Sequence, residues 1–227
     1  MRRPRWPGDD RFFGHHARPY TAAERRVDLW LHIVALGAAI VGVVVLAATV
    51  LPGLSERAAI SLSIYAGGLL AMLGLSALYN HFIRRPALKS LFRRLDNAAI
   101  YAMIAGTYTP FALVKIGRVD GIALLVFVWI AALIGIVLKL AAPGKAEALA
   151  IGLYMIAGWC ILPLLDRLFA SVALPVAVLV VIGGIIYTTG VPFHLWTRLR
   201  FHNAIWHACV VTAAACHYAA IYLAFSS

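Results

Sequence analysis

Charge is scarce in this sequence: Asp, Glu, Lys and Arg make up 13% of its 227 residues, about half the share of an ordinary soluble domain. Acidic residues are the scarcer kind, nine against 20 basic ones. Cysteine is nearly absent. Cys160, Cys209 and Cys216 each sit inside an apolar run, which excludes a disulfide framework and leaves three small buried hydrophobes. The apolar–polar alternation of a membrane β-barrel is missing, and so are low-complexity tracts. What remains is apolar: 63% of residues are hydrophobic and mean hydropathy is +0.89.

The apolar residues fall in seven runs, near 27–51, 58–80, 96–116, 121–140, 148–165, 171–191 and 203–225. Each reaches the roughly 20 residues that a helix needs to cross about 30 Å of hydrocarbon. An all-α integral membrane protein follows, a seven-transmembrane helical bundle forming one domain over 27–225. Residues 1–26 read as a basic flexible cytoplasmic arm. The arm has no apolar core before Val27, so it is not expected to be a cleavable signal peptide.

Basic residues set the direction. Arg2, Arg3, Arg5, Arg11, Arg18, Arg25, Arg26, Arg84, Arg85, Lys89, Arg93, Arg94, Lys139, Lys145, Arg198 and Arg200 fall on one side. Only Arg57, Lys115, Arg118 and Arg167 fall on the other. The N-terminus is therefore expected in the cytoplasm and the C-terminus outside. The same placement, in short blocks between spans, argues against nucleic acid as a partner and for membrane lipids. Sequence assigns neither a soluble partner nor an oligomeric state.

Polar groups inside spans are costly and call for a reason. They are Asp28 and His32 in the first span, Ser76 and Asn80 in the second, and Asp96 and Asn97 in the third. Asn203, His207 and His217 follow in the last. Asp28 with His32, Ser76 with Asn80, and Asn203 with His207 are each four apart and share a helix face. The topology brings most of them to the cytoplasmic side. Such a group can hold a metal, activate a water, or hydrogen-bond helices together. Asp28 and Asp96 are also expected in first turns, where the helix dipole favours a carboxylate. His217 and the tyrosines Tyr65, Tyr101, Tyr108 and Tyr187 read as packing residues. Pro110 and Pro163 are expected to kink the third and fifth spans, with Thr107 or Thr109 meeting the freed carbonyl.

Three segments resemble the haemolysin III family, a bacterial branch of the progestin and adipoQ receptor (PAQR) superfamily. They are Ser76-Ala77-Leu78-Tyr79-Asn80, then Arg94-Leu95-Asp96-Asn97-Ala98-Ala99-Ile100-Tyr101 running into Ile104-Ala105-Gly106-Thr107-Tyr108-Thr109-Pro110, and Asn203-Ala204-Ile205-Trp206-His207 with His217. Glu24, Asp28 and His32 are a weaker fourth. The resemblance implies a bacterial inner-membrane location and a zinc site toward the cytosol. It places the metal on residues matching Asn80, Asn203 and His207, with a third-helix Asp, Asp96, holding the water beside it. Two of the three expected histidines are asparagine here. Amide oxygen is a weaker zinc donor than imidazole, so the residue count favours no bound zinc. His81 and His202 adjoin the asparagines and could restore the set if each turned by about 100° on its helix.

The sequence thus leads to a haemolysin III-like multi-pass membrane protein of non-catalytic or sensor type. The alternative is a metal-dependent hydrolase of lipid amides with Asp96, His207 and Ser76 as catalytic candidates, its zinc site weakened or rearranged. A pore or cytolysin is the third.

Overall fold

The computed structural model describes residues 19–141 and 147–226. Most of the arm expected over 1–26, and Lys145 with it, lies outside the described residues. Among the described residues the chain is all helix and turn, with seven helices long and apolar enough to cross a membrane. These spans are Ala22–Gly53, Glu56–Phe82, Pro86–Ile116, Arg118–Ala141, Leu149–Ser171, Leu174–Leu195 and His202–Ser226.

We number the α-helices α1 (Ala22–Thr49), α2 (Glu56–Ala77), α3 (Pro86–Pro110), α4 (Arg118–Ala141), α5 (Glu147–Trp159), α6 (Leu165–Ser171), α7 (Leu174–Leu195) and α8 (His202–Ser226). Together α5 and α6 make the fifth span.

Local chemistry sets the helix starts. Thr21 caps α1 in a capping box with Glu24, which fixes the helix start well before Val27. Pro86 opens α3, a position where its missing N–H costs nothing. Both starts correct the sequence reading. Asp28 lies nearly two turns into α1 and Asp96 nearly three turns into α3, so neither sits in a first turn and the helix dipole does not account for either.

Both prolines stand where the regular α-helix gives way. A π-helical turn, Phe111–Ile116, follows Pro110. Thr109 donates to the Ala105 carbonyl at 2.7 Å and Thr107 to that of Met103 at 2.8 Å, so neither reaches Gly106. α5 stops at Trp159 and a 3-10 turn, Leu162–Leu164, carries Pro163 into α6. The fifth span is thus broken rather than bent.

Helix contacts follow membrane rules, in which small residues permit close approach and polar side chains join helices. α2 packs closely on α3 and α7 on α8. At Gly106 an added Cβ would stand 3.3 Å from the Ile64 carbonyl oxygen, and at Gly68 it would stand 3.4 Å from that of Ala102. Tyr101 donates to the Ala150 carbonyl (2.7 Å), Tyr108 to that of Gly158 (2.6 Å) and Tyr218 to that of Gly42 (2.7 Å). Valines such as Val34, Val41, Val44 and Val137 are exposed on the outside, the face that lipid covers.

Candidate metal centre and the cavity beside it

Four ionisable side chains from three helices meet at one end of the bundle. Asp28 stands at the centre and is 5% exposed. His207 Nδ1–H donates to its Oδ1 at 2.6 Å, and His81 Nε2 lies 3.0 Å from its Oδ2. Asn203 Nδ2 adds a longer bond to Oδ2 at 3.4 Å. His32, one turn along α1, donates from Nδ1 to the Asp28 backbone carbonyl at 2.8 Å. Its Nε2 meets the Ser76 hydroxyl at 3.2 Å.

His81 reaches this group through a local change of helix type. α2 passes into a π-helical turn, Leu78–Phe82, closed by Ile83 N–H on the Leu78 carbonyl at 2.9 Å. Widening the helix by one residue per turn re-aims the side chains that follow. His81 therefore faces inward, while Asn80 folds back to donate to Ser76 O (3.0 Å) and Ser76 Oγ (3.3 Å).

Asp28, His32 and His81 have the dimensions of a metal site. Their ligand atoms all lie within 4.8 Å of one another. The triangle of Asp28 Oδ2, His32 Nδ1 and His81 Nε2 has edges of 3.0, 3.3 and 3.8 Å. Tetrahedral zinc at 2.0–2.1 Å from its donors separates them by about 3.3–3.4 Å, and the point equidistant from these three atoms is about 2.0 Å from each. The cluster could therefore coordinate a metal ion. Ligation would exchange the His32 bond to the Asp28 carbonyl for the metal, with both ligating nitrogens deprotonated. Nε2 of His32 would keep Ser76 as its partner and Oδ1 of Asp28 would keep His207. These are the outer hydrogen bonds that orient metal ligands.

Of the residues singled out from sequence, the structure brings His207, Asn203, His81 and Ser76 to this cluster. Asn80 is spent on Ser76. Asp96, half-buried, lines the adjoining cavity and hydrogen-bonds with Ser76. His202 turns elsewhere, to the Tyr20 hydroxyl at 3.1 Å. Asp28 and His32 belong to the polar group that the sequence brings to this side, but the ligand set implied by the resemblance omits both.

The cavity is large, about 1490 Å³. Ser76, Asn80, Asp96, Asn97, Asn203 and His207 border one part of it. From there it runs between apolar walls that include Met103, Ile104, Met155 and Val180. A cavity this large with a polar cluster on one part of its wall and mostly apolar lining elsewhere suits an amphiphile better than a small polar molecule.

These features define a class: a multi-pass helical membrane protein with a small buried acidic–histidine cluster beside a long cavity. A model of the family described as "Haemolysin-III related" matches residues 20–218, and the chain belongs to that family. It is 36% identical over 156 residues to the Hemolysin-3 homolog of Bacillus subtilis (strain 168), an alignment covering 69% of this chain and 73% of that protein. It is 37% identical over 135 residues to Hemolysin-3 of Bacillus cereus, covering 60% of this chain and 62% of the relative. With bacterial relatives and seven apolar spans, it is an integral bacterial membrane protein.

Proposed function

We propose that this chain is a zinc-dependent membrane hydrolase acting on the amide of a lipid whose apolar tail lies in the cavity. The observation that carries this reading is the Asp28–His32–His81 triangle, sized for zinc and adjoining the large cavity through His32. The resemblance to the PAQR superfamily supports it. In this reading His81 and His32 take the place of the imidazoles that the resemblance expects where Asn80 and Asn203 stand.

Zinc, when bound, would polarise the amide carbonyl and make a nearby water more acidic. The chain's residues do the rest. Asp28, His32 and His81 hold the ion, and His207 and Ser76 orient Asp28 and His32 by hydrogen bonds. Asp96, on the cavity wall, takes the proton of the attacking water as its oxygen bonds to the carbonyl carbon. The C–N bond then breaks as Asp96 passes that proton to the leaving nitrogen, giving a carboxylic acid and an amine, which exchange the remaining proton to leave as carboxylate and ammonium. The apolar walls bind the tail and exclude bulk water.

Orientation belongs to the same proposal. The basic residues favour N-terminus inside and C-terminus outside in the inner membrane, with the cluster near the cytoplasmic face and the Arg-rich arm against anionic headgroups. Alkaline phosphatase fused after Ser227 should be active and fused before Met1 inactive; the reverse pattern would overturn the orientation.

The test of function is hydrolysis of a labelled ceramide-like amide in vesicles containing the purified protein, with metal measured alongside. Turnover should require zinc and vanish in Asp96→Ala while zinc stays bound. Zinc-free protein with full turnover, or Asp96→Ala with undiminished turnover, would refute the mechanism. A sensor or structural role is the second reading, favoured by one fact: His207, His81 and Asn203 already satisfy Asp28 by hydrogen bonds within the chain. That reading predicts metal-free protein whose melting temperature a chelator does not change.

A further inference from the structure

A second polar group lies along the same cavity, and the hydrolase reading makes no use of it. His217 is ten residues beyond His207 on α8, roughly 15 Å along the helix axis. It is 8% exposed and borders the cavity. Its Nε2 lies 3.2 Å from the Val180 carbonyl oxygen. A carbonyl only accepts, so Nε2 carries the proton, and in the neutral ring Nδ1 presents a bare lone pair. That Nδ1 is buried with no hydrogen-bond partner.

Tyr187 lies against it, with ring centroids 5.6 Å apart, and borders the same cavity. Its hydroxyl is also buried and unpartnered, as is that of Tyr65 on α2, which is within electrostatic reach of Tyr187. Tyr65 is eleven residues from Ser76, so by helix rise it lies at a depth similar to that of His217. Gly183, one turn before Tyr187, leaves room for the imidazole: a Cβ there would stand 2.5 Å from His217 Nε2.

A donor, the Tyr187 hydroxyl, and an acceptor, His217 Nδ1, stand side by side without partners on the cavity wall, in an interior where polar groups are nearly always paired. Their chemistry matches a single kind of guest, an O–H group, which can accept from a tyrosine hydroxyl and donate to Nδ1. We propose that His217 and Tyr187 form a hydroxyl-binding subsite in the cavity, about 15 Å along α8 from His207. The oxygen belongs either to an ordered water or to an acyl chain hydroxylated in mid-chain. If the lipid's polar end sits at the Asp28 cluster, a point that rests on the proposed function, the hydroxyl falls about twelve bonds away. This follows because an extended chain advances about 1.2 Å per bond, so ~15 Å spans about twelve.

Thermal unfolding of the intact protein in detergent tests the subsite. Tyr187→Phe removes only the oxygen. It should lower Tm by about 2–4 °C if that hydroxyl is hydrogen-bonded to a guest. An unchanged or raised Tm would overturn the proposal, because an orphan hydroxyl is better replaced by carbon. Should Tyr187→Phe fail to fold, the nitrogen-15 shift of His217 Nδ1 in the unsubstituted protein decides: a shift upfield of the bare-imidazole value supports a bound hydroxyl, and a bare value would overturn the proposal.

Stearate and 12-hydroxystearate then separate the sources. A larger Tm rise with the hydroxylated acid, erased in His217→Phe, assigns a lipid hydroxyl. Equal effects of the two acids, together with a destabilised Tyr187→Phe, assign a water. His81→Ala reads the metal site independently: it should lose zinc and leave these shifts unchanged, so zinc retained there counts against the hydrolase reading alone and absent Tm shifts count against the subsite alone.

Discussion

Replacing His81 by alanine removes one corner of the donor triangle. Nε2 of His81 is 3.0 Å from Asp28 Oδ2 and 3.3 Å from His32 Nδ1, and the two atoms that remain are 3.8 Å apart. A triangle that closes on zinc becomes a single edge, with one carboxylate oxygen and one imidazole. Loss of an outer hydrogen-bond partner alone costs about 10–100-fold in metal affinity. Loss of a direct donor should exceed the upper end of that range, on the order of 3 kcal/mol or more. Competition titration against a chelator in detergent, with metal quantified by mass spectrometry, reads this directly. Asn80→Ala and His202→Ala are the controls: Asn80 bonds to Ser76 and His202 to Tyr20, so both should bind zinc within a few-fold of the unsubstituted protein. Zinc retained in His81→Ala but lost in Asn80→Ala would mean the triangle is not the site.

Three further outcomes follow from single contacts. Ser76→Ala removes the partner of His32 Nε2 and should weaken zinc about 10–100-fold without abolishing it, measured by the same titration. Gly135→Ala places a Cβ 2.2 Å from the ring of fully buried Tyr101; overpacking of this kind costs about 1–3 kcal/mol and should lower Tm in a thermal melt. Glu24→Ala removes the acceptor of the Phe201 N–H at 2.8 Å and of the Thr21 N–H at 2.8 Å. It should cost about 1–3 kcal/mol, seen as a drop of roughly 3–9 °C in Tm.

The seven spans were legible because hydropathy over about 20 residues is a strong signal. Helix starts were less so. The first span read as beginning at Val27 because Glu24, Arg25 and Arg26 interrupt the apolar run, yet Thr21 and Glu24 form a capping box that the sequence displays openly. Pro86 likewise announces α3, hidden among Arg84, Arg85 and Lys89. Those two boundaries remove the helix dipole as a reason for Asp28 and Asp96 and leave both as interior carboxylates. The convergence of Ser76, Asn203 and His207 followed from topology and four-residue spacing. The inward turn of His81 had no sequence signal, because a π turn depends on which carbonyl the chain closes onto. Nor did spacing reveal the missing partners of His217 and Tyr187, which depend on what their neighbours leave bare.

The wide turn at Leu78–Phe82 also bears on how this stretch tolerates changes in length. His81 stands five residues after Ser76, and in a π turn the fifth residue comes round to the azimuth that the fourth holds in an α-helix. One surplus residue and one local loosening therefore cancel. Deleting Asn80 should let the helix tighten to its ordinary pitch and deliver the imidazole to the same spot, so shortening the chain there would be milder for zinc than many point replacements. Adding a residue to the turn would instead swing the ring toward the lipid.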